Sequence, residues 1–90
     1  MRRTLAQMIC IDGMVHRLAV IVERDGAAPV VETMERETAS TEFFNGLIAV
    51  VPAGTVVPAG VAATDALTLC KALPRVVCGA PVCVVRVPFV

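Results

Sequence analysis

The sequence has few aromatic side chains and few charges. Among its 90 residues there is no Trp or Tyr, and there are only three Phe and one His. Nucleic-acid binding by base stacking needs aromatic side chains beside basic ones. A formal net charge of zero at pH 7 provides no overall field that would attract phosphates or an anionic lipid surface. We therefore predict that neither nucleic acid nor a membrane is a partner.

The chain also lacks a long uninterrupted apolar run. The apolar stretch after Arg2 is broken by Gln7, Asp12 and His16, which is unlike the core of a signal peptide. No stretch approaches the roughly 18 apolar residues of a membrane-spanning helix. We therefore predict a cytoplasmic or otherwise intracellular protein, in which the cysteines stay reduced.

Small apolar residues dominate the composition. Hydrophobic residues make up 57% of the chain and charged residues 18%, against typical fractions of about 45–50% and 25%. One domain of this length buries only about 60–65% of its unfolded surface. The apolar excess predicts that residues 1–90 form a single domain that hides further surface by self-association or within a larger assembly.

Two Asp-Gly pairs divide the first third of the chain. Asp12-Gly13 and Asp25-Gly26 each separate stretches rich in β-branched residues, a pattern typical of tight hairpin turns. The pairing across the first turn places Ile9 opposite His16. Residues 4–35 are therefore predicted to form a three-stranded antiparallel meander, which needs only short connections.

The pair Asn45-Gly46 predicts a further hairpin, because both residues tolerate the φ > 0 of a type I′ turn. This turn would place Phe43 opposite Ile48. The alternative is a helix beginning at Ser40 or Thr41, but such a helix would contain Gly46 in its interior at a cost of about 1 kcal/mol.

The second half of the chain combines turns, one helix and a last hairpin. Two Val-Pro-Ala-Gly copies, beginning at Val51 and Val57, predict two turns initiated by proline. A helix is predicted near 62–73, capped by Thr64 or Asp65 and ended by Pro74, with Ala66, Leu69, Cys70 and Leu73 on its buried face. Residues 75–78 and 82–90 are predicted to pair around Gly79-Ala80.

These elements predict a mainly-β fold at the margin of the α+β class. About seven short antiparallel strands would form a small barrel or sandwich, with the one helix near 62–73 packed against it. Closure is expected because the edges of so apolar a sheet have to be hidden.

Four cysteines and one histidine are the candidates for metal or redox chemistry. Cys78 and Cys83 are the closest pair in the sequence, and together with His16 they are the candidate metal ligands. A structural zinc site needs four ligands, commonly in two closely spaced pairs, and here no second pair exists. Reduced, buried cysteines that behave as small apolar side chains are the favoured interpretation, and no cofactor is predicted.

No catalytic constellation is apparent in the sequence. In the predicted first hairpin His16 emerges on the opposite side from Cys10, which argues against a Cys–His nucleophilic pair. Glu35 and Glu37 share one side of an extended segment, but that segment is the most polar part of the chain rather than a cleft. We therefore predict no catalytic residue and no enzymatic activity.

The sequence favours a non-enzymatic structural or interaction module that associates with itself or joins an assembly. The predicted contact residues are apolar side chains of the aromatic hairpin and of the last strand: Phe43, Phe44, Val85, Val87 and Phe89. One alternative is a small-ligand-binding β domain, with its site near His16, Arg17 and the Val-Pro-Ala-Gly turns. A further alternative is a cysteine-based metal or redox protein.

Overall fold

The computed structural model of the chain describes residues 1–33 and 41–90. Its helices and strands follow in the order β1 (Arg2–Ile11), β2 (Met14–Glu23), β3 (Val30–Thr33), β4 (Thr41–Pro52), a 3-10 turn (Ala63–Asp65), α1 (Ala66–Ala72) and β5 (Val82–Pro88). All five strands belong to one sheet in the order β3-β2-β1-β4-β5. Strands β1 and β4 are parallel and the other neighbours are antiparallel. The mainly-β prediction is confirmed, but this part of the chain forms an open, mixed five-stranded sheet instead of seven antiparallel strands in a barrel or sandwich.

The predicted meander is present. Asp12 and Gly13 have φ values of 50° and 78°, as a type I′ turn requires, and His16 pairs with Ile9 as expected. Strand β3 then pairs with the end of β2 after the turn at Asp25-Gly26. The end of the predicted third strand, at Glu35, lies outside the described residues, as do Glu37 and Ser40.

The hairpin prediction at Asn45-Gly46 is wrong, because both residues lie inside β4. Between two regular pairs with β1, Asn45 and Gly46 lie opposite the single residue Gln7, which makes a β-bulge. A Cβ atom on Gly46 would lie 2.5 Å from the carbonyl oxygen of Val87. Glycine is needed here for the close approach of a neighbouring strand rather than for a turn.

The predicted last hairpin is also wrong. Residues 75–78 form no strand, and β5 pairs with β4 instead. Residues 47–51 of β4 are all buried and apolar, and they have β1 on one side and β5 on the other. A continuous apolar run of this kind is typical of a central strand covered on both faces, and it offers β5 a longer partner than residues 75–78 could.

The predicted helix is confirmed, and so is its buried face. Ala66 and Cys70 are buried, and Leu69 and Leu73 pack against the same cluster. Neither helical turn has a side-chain cap, so the predicted capping by Thr64 or Asp65 is absent. No helix among the described residues is long and apolar enough to cross a membrane.

The first Val-Pro-Ala-Gly copy forms the predicted turn. Both the backbone N–H and the hydroxyl of Thr55 donate to the carbonyl oxygen of Pro52, at 3.1 and 2.7 Å. Gly54 has a φ of 88°, a conformation that favours glycine. The turn leads the chain from the end of β4 toward the helix.

The core has two apolar clusters, one on each face of the sheet. The helical face is the side covered by α1, and its buried members are Met8, Cys10, Leu47, Ala49, Val51, Ala66, Cys70 and Val87. The second face has the buried members Ala6, Ile9, Ala19, Ile21, Ile48 and Val50. Because Ala6 and Ile9 share a face, the alternation of side chains along β1 changes phase between them, next to the bulge.

The sheet curves toward its second face. In a flat sheet β2 would lie three strand spacings from β5, about 14 Å, and the register would place Arg86 level with His16, seven residues or roughly 23 Å along β2 from Glu23. Nevertheless, Arg86 on β5 reaches Glu23 at the end of β2, with 3.1 Å between Nη2 and Oε1. The same Nη2 donates to Oγ1 of the buried Thr4 at 3.1 Å. Arg86 therefore ties the outer strand to β1 and β2 across this face.

Candidate interaction edge

Strand β5 is an edge of the sheet, with β4 as its strand neighbour on one side. Near its C-terminal end, the N–H of Val61 donates to the carbonyl oxygen of Pro88 at 3.1 Å, and the N–H of Val90 donates to that of Val61 at 3.0 Å. These bonds cover the last part of the outer side. Across the described residues, no strand covers the outer side of the rest of β5.

The hydrogen bonds at both ends of β5 fix which of its backbone groups point outward. The N–H of Phe89 donates to the carbonyl oxygen of Asn45, and the N–H of Ala53 donates to that of Pro81. The register between β4 and β5 runs without a shift. In an antiparallel pair, residues that bond across the ladder alternate with residues that do not. Cys83, Val85 and Val87 therefore bond to β4.

The intervening residues, Val82, Val84 and Arg86, direct their N–H and C=O groups away from β4. Within the described ranges, no hydrogen bond to these backbone groups is present on the outer side. Pro88 is the next outward position, where it has no N–H to leave unpaired and its carbonyl oxygen is already bonded to Val61. The open edge thus consists of three residues, and unpaired groups of this kind are a template for another strand.

The side chains of β5 hold this edge in place. Val84 packs against the second-face cluster and Val85 against the helical one. The Arg86 side chain is held by Thr4 and Glu23. Because both faces of the strand are anchored, its outward backbone groups are presented on a fixed frame rather than on a loop.

Two open pockets lie beside the start of β5, each with a volume of about 290 Å³. The first is lined by Ile11, Asp12, Ala28, Pro29, Val50, Val76, Cys78 and Val82. The second is lined by Glu23, Arg24, Ala27, Pro29 and Val82–Val84. Both pockets lie between β5 and the connection from β2 to β3, so the sheet is open at this point rather than closed into a barrel.

The predicted contact residues differ in how much of each side chain is exposed. Phe43 is exposed, with 59% of its surface accessible, whereas Phe44 is half-buried against the second-face cluster. Val85 and Phe89 are half-buried against the helical face. Val87 is fully buried within the chain, so its side chain has no accessible surface there.

The prediction that all four cysteines are reduced and buried is wrong. Cys10 and Cys70 form a disulfide with a Cα–Cα distance of 5.8 Å, and it joins the helix to β1. Cys78 and Cys83 are free thiols, but both are exposed. Since disulfides persist mainly in oxidising compartments, the cysteines no longer support the predicted intracellular setting.

Within the described part of the chain, the candidate ligands Cys78, Cys83 and His16 belong to no metal-binding group. His16 is half-buried on β2, opposite Ile9. Among the described residues no group of three or more His, Cys, Asp or Glu side chains could hold a metal ion. Neither of the two pockets is lined by His16 or Arg17, the residues named for the ligand-binding alternative.

Charged pairs lie around the outer parts of the sheet. Arg2 and Glu42 are 3.1 Å apart and exposed, and the hydrogen bond and charge of Glu42 raise the pKa of Arg2. Arg3 and Glu32 form a second pair, also at 3.1 Å. The first contact links β1 to β4 and the second links β1 to β3, so both connect strands of the sheet.

The last strand was predicted as a contact region from its side chains, so the outward backbone groups of Val82, Val84 and Arg86 were not identified from the sequence. A signal was nevertheless present: Pro81 precedes this mostly apolar strand and Pro88 ends it, and proline in strands is confined to edges, strand starts and bulges. Comparison with protein-family models, with curated proteins and with solved structures finds no match for this chain.

Proposed function

We propose that this protein is a non-enzymatic interaction module that associates with itself through the outer edge of β5. The observation that carries this proposal is the set of outward-facing N–H and C=O groups at Val82, Val84 and Arg86, which have no described partner. Addition of a strand to such an edge supplies main-chain hydrogen bonds, and the side chains on either face add contacts.

Three properties of β5 support this function. It has seven residues, whereas the described part of the other outer strand, β3, has four and begins directly after Pro29. Its free part, Val82–Val87, contains only one charged residue, and that residue is held by Glu23. Sheets usually protect edges with outward charges or by covering them. Among residues 1–33 and 41–90 no further strand pairs with the outer side of Val82–Val87, and the one charge there is engaged by Glu23.

Light scattering coupled to size-exclusion chromatography tests self-association directly. Between low and high micromolar concentration, the expected result is a rise toward twice the 9.4 kDa of one chain. A mass that stays at that of one chain up to high micromolar concentration would rule the function out. Phe43→Ser provides a control, because this exposed side chain lies on β4 away from the edge, and its removal should leave the mass unchanged.

A second candidate function, the binding of a small apolar molecule, is favoured by the pocket between Ile11, Val50 and Val76. Its volume of about 290 Å³ is at the lower end of the usual range for ligand sites, which are mostly apolar. A screen of small apolar compounds by thermal shift tests this candidate. Stabilisation that is lost in Val76→Asp, in a variant that still folds, would support it, whereas no stabilisation by any compound would remove it.

A further inference from the structure

The open edge of β5 is self-complementary, and this property specifies one arrangement of two copies. Two antiparallel strands that meet at their outer edges form hydrogen-bonded pairs only between outward-facing residues. Each copy offers Val82, Val84 and Arg86 as such residues, and the series ends at Pro88. A two-fold axis through Val84 pairs Val82 with Arg86 of the second copy and Val84 with its own equivalent.

This register uses every outward group that β5 has. Each hydrogen-bonded pair exchanges two bonds, so three pairs give about six between the two copies. A shift of the axis to Cys83 or to Val85 would leave only two such pairs, or about four bonds. Resting on the self-association argued above, we infer that two copies pair antiparallel through β5 about an axis at Val84, so that the two sheets continue into one.

Charge supports a second copy of this chain as the occupant of the edge. Arg86 is the one charged residue of Val82–Val87, and in this register it lies beside Val82 of the other copy. The two Arg86 residues are four positions apart along the strand, a distance of about 13 Å. Self-pairing therefore brings no like charges directly opposite each other, which would destabilise a strand pair.

The register also brings a native thiol to a defined neighbour. Cys83 lies opposite Val85 of the second copy, in a pair that is not hydrogen-bonded. Such pairs have a Cα–Cα distance of about 4.5 Å, within the range of roughly 4.4–6.8 Å for a disulfide. Cys83 is exposed and free, and the side chains of both positions emerge on the helical face. In contrast, two Cys83 residues are diagonal neighbours about 7–8 Å apart, which is too far for a disulfide.

The test is disulfide trapping with Val85→Cys in a Cys78→Ser background that keeps Cys83. Mild oxidation of the folded protein should give a covalent dimer within minutes, and peptide mapping should show position 83 of one chain linked to position 85 of the other. Val56→Cys in the same background is the control, because position 56 is 93% exposed and outside the strand. It should give at least tenfold less covalent dimer.

The other outcomes show whether the register alone is wrong or whether the protein does not associate with itself at all. A dimer of the parent protein linked through Cys83 to Cys83 would place the axis at Cys83 and overturn the register. A dimer linked through position 85 to position 85 when Cys83 is replaced by Ser would place the axis at Val85. If light scattering shows a dimer but neither position is trapped, the two copies associate through another surface and the register is wrong. If the protein is a monomer at high micromolar concentration, both the register and the proposed self-association are wrong.

Discussion

The carbonyl oxygen of Val87 lies 2.5 Å from the position that a Cβ atom on Gly46 would occupy, and Cα of Pro88 lies 2.9 Å from it. Gly46 and Pro88 are directly paired in the ladder between β4 and β5. The absence of a side chain at position 46 is thus a condition for the edge strand to dock where it does. This contact links the bulge in β4 to the position of the open edge.

We expect Gly46→Ala to destabilise the fold by roughly 1–3 kcal/mol, because the added methyl group can be accommodated only by moving backbone. Gly60→Ala is the matched control. Its Cβ would meet the Val90 side chain at 2.9 Å, but Val90 is exposed at the C-terminal end and can turn away. Urea unfolding followed by circular dichroism measures both. Equal effects of the two substitutions would contradict a role for close strand approach at Gly46.

The disulfide between Cys10 and Cys70 should contribute to stability more than any other single link of the helix to the sheet. It closes a loop over a sequence separation of 60, for which chain entropy gives roughly 4 kcal/mol. Helix α1 has only seven residues, too few for a helix that is stable by itself. We expect Cys10→Ala/Cys70→Ala to lower the free energy of unfolding by roughly 2–4 kcal/mol.

Cys78→Ser/Cys83→Ser is the control for that experiment, because both residues are exposed and free. This double variant should unfold at the same urea concentration as the parent protein. Thiol counting on the denatured, unreduced parent should find two reactive thiols, and addition of a reductant should reveal two more. Four reactive thiols without reductant would contradict the disulfide and show that all four cysteines are reduced.

The hydrogen bonds of Arg86 should matter more than those of Arg2. Thr4 is 1% exposed, and Arg86→Met leaves its hydroxyl without its donor; a buried polar group that loses its partner costs about 1–3 kcal/mol. Arg2→Met removes an ion pair between two exposed side chains, and we expect no measurable shift of the unfolding midpoint. Denaturant titration of the two variants checks the difference, and an equal midpoint for both would contradict the bridge across the second face.

Proline substitutions should separate self-association from folding. The N–H of Val84 points outward, so Val84→Pro removes no bond to β4 but blocks strand addition. The N–H of Val85 bonds to β4, so Val85→Pro should disrupt the sheet itself. By light scattering and circular dichroism, we expect the first variant to be folded and monomeric, and the second to lose much of its β signal. A folded dimer of Val84→Pro would show that the edge of β5 is not the contact.

Local patterns in the sequence predicted the parts of the fold that depend on neighbouring residues. Asp12-Gly13 specified its hairpin, and the apolar spacing from Ala66 to Leu73 specified the buried side of the helix. The failures concern long-range pairing. Asn45-Gly46 carries the same local signal as the other turns, and only the approach of Val87 explains why the glycine is used within a strand.

The candidate site was harder to predict for a related reason. Whether a backbone group is free depends on which strand lies beside it, and the partners of β5 are 30 to 42 residues away in the chain. The disulfide also joins distant elements, β1 and α1. Side-chain hydrophobicity identified the last strand as a contact region, but it selected Val87, which faces the core. Only the register shows that the outward groups belong to the even-numbered residues.

Hydrogen exchange of individual β5 amides tests the central claim, self-association through the open edge, most directly. The protein is exchanged at low and at high micromolar concentration, quenched, and analysed by NMR. The amides of Val82, Val84 and Arg86 should exchange rapidly in dilute solution and become protected at the higher concentration. Those of Cys83 and Val85 should be protected at both, because they bond to β4. Protection of Val82, Val84 and Arg86 that does not change with concentration would contradict the account.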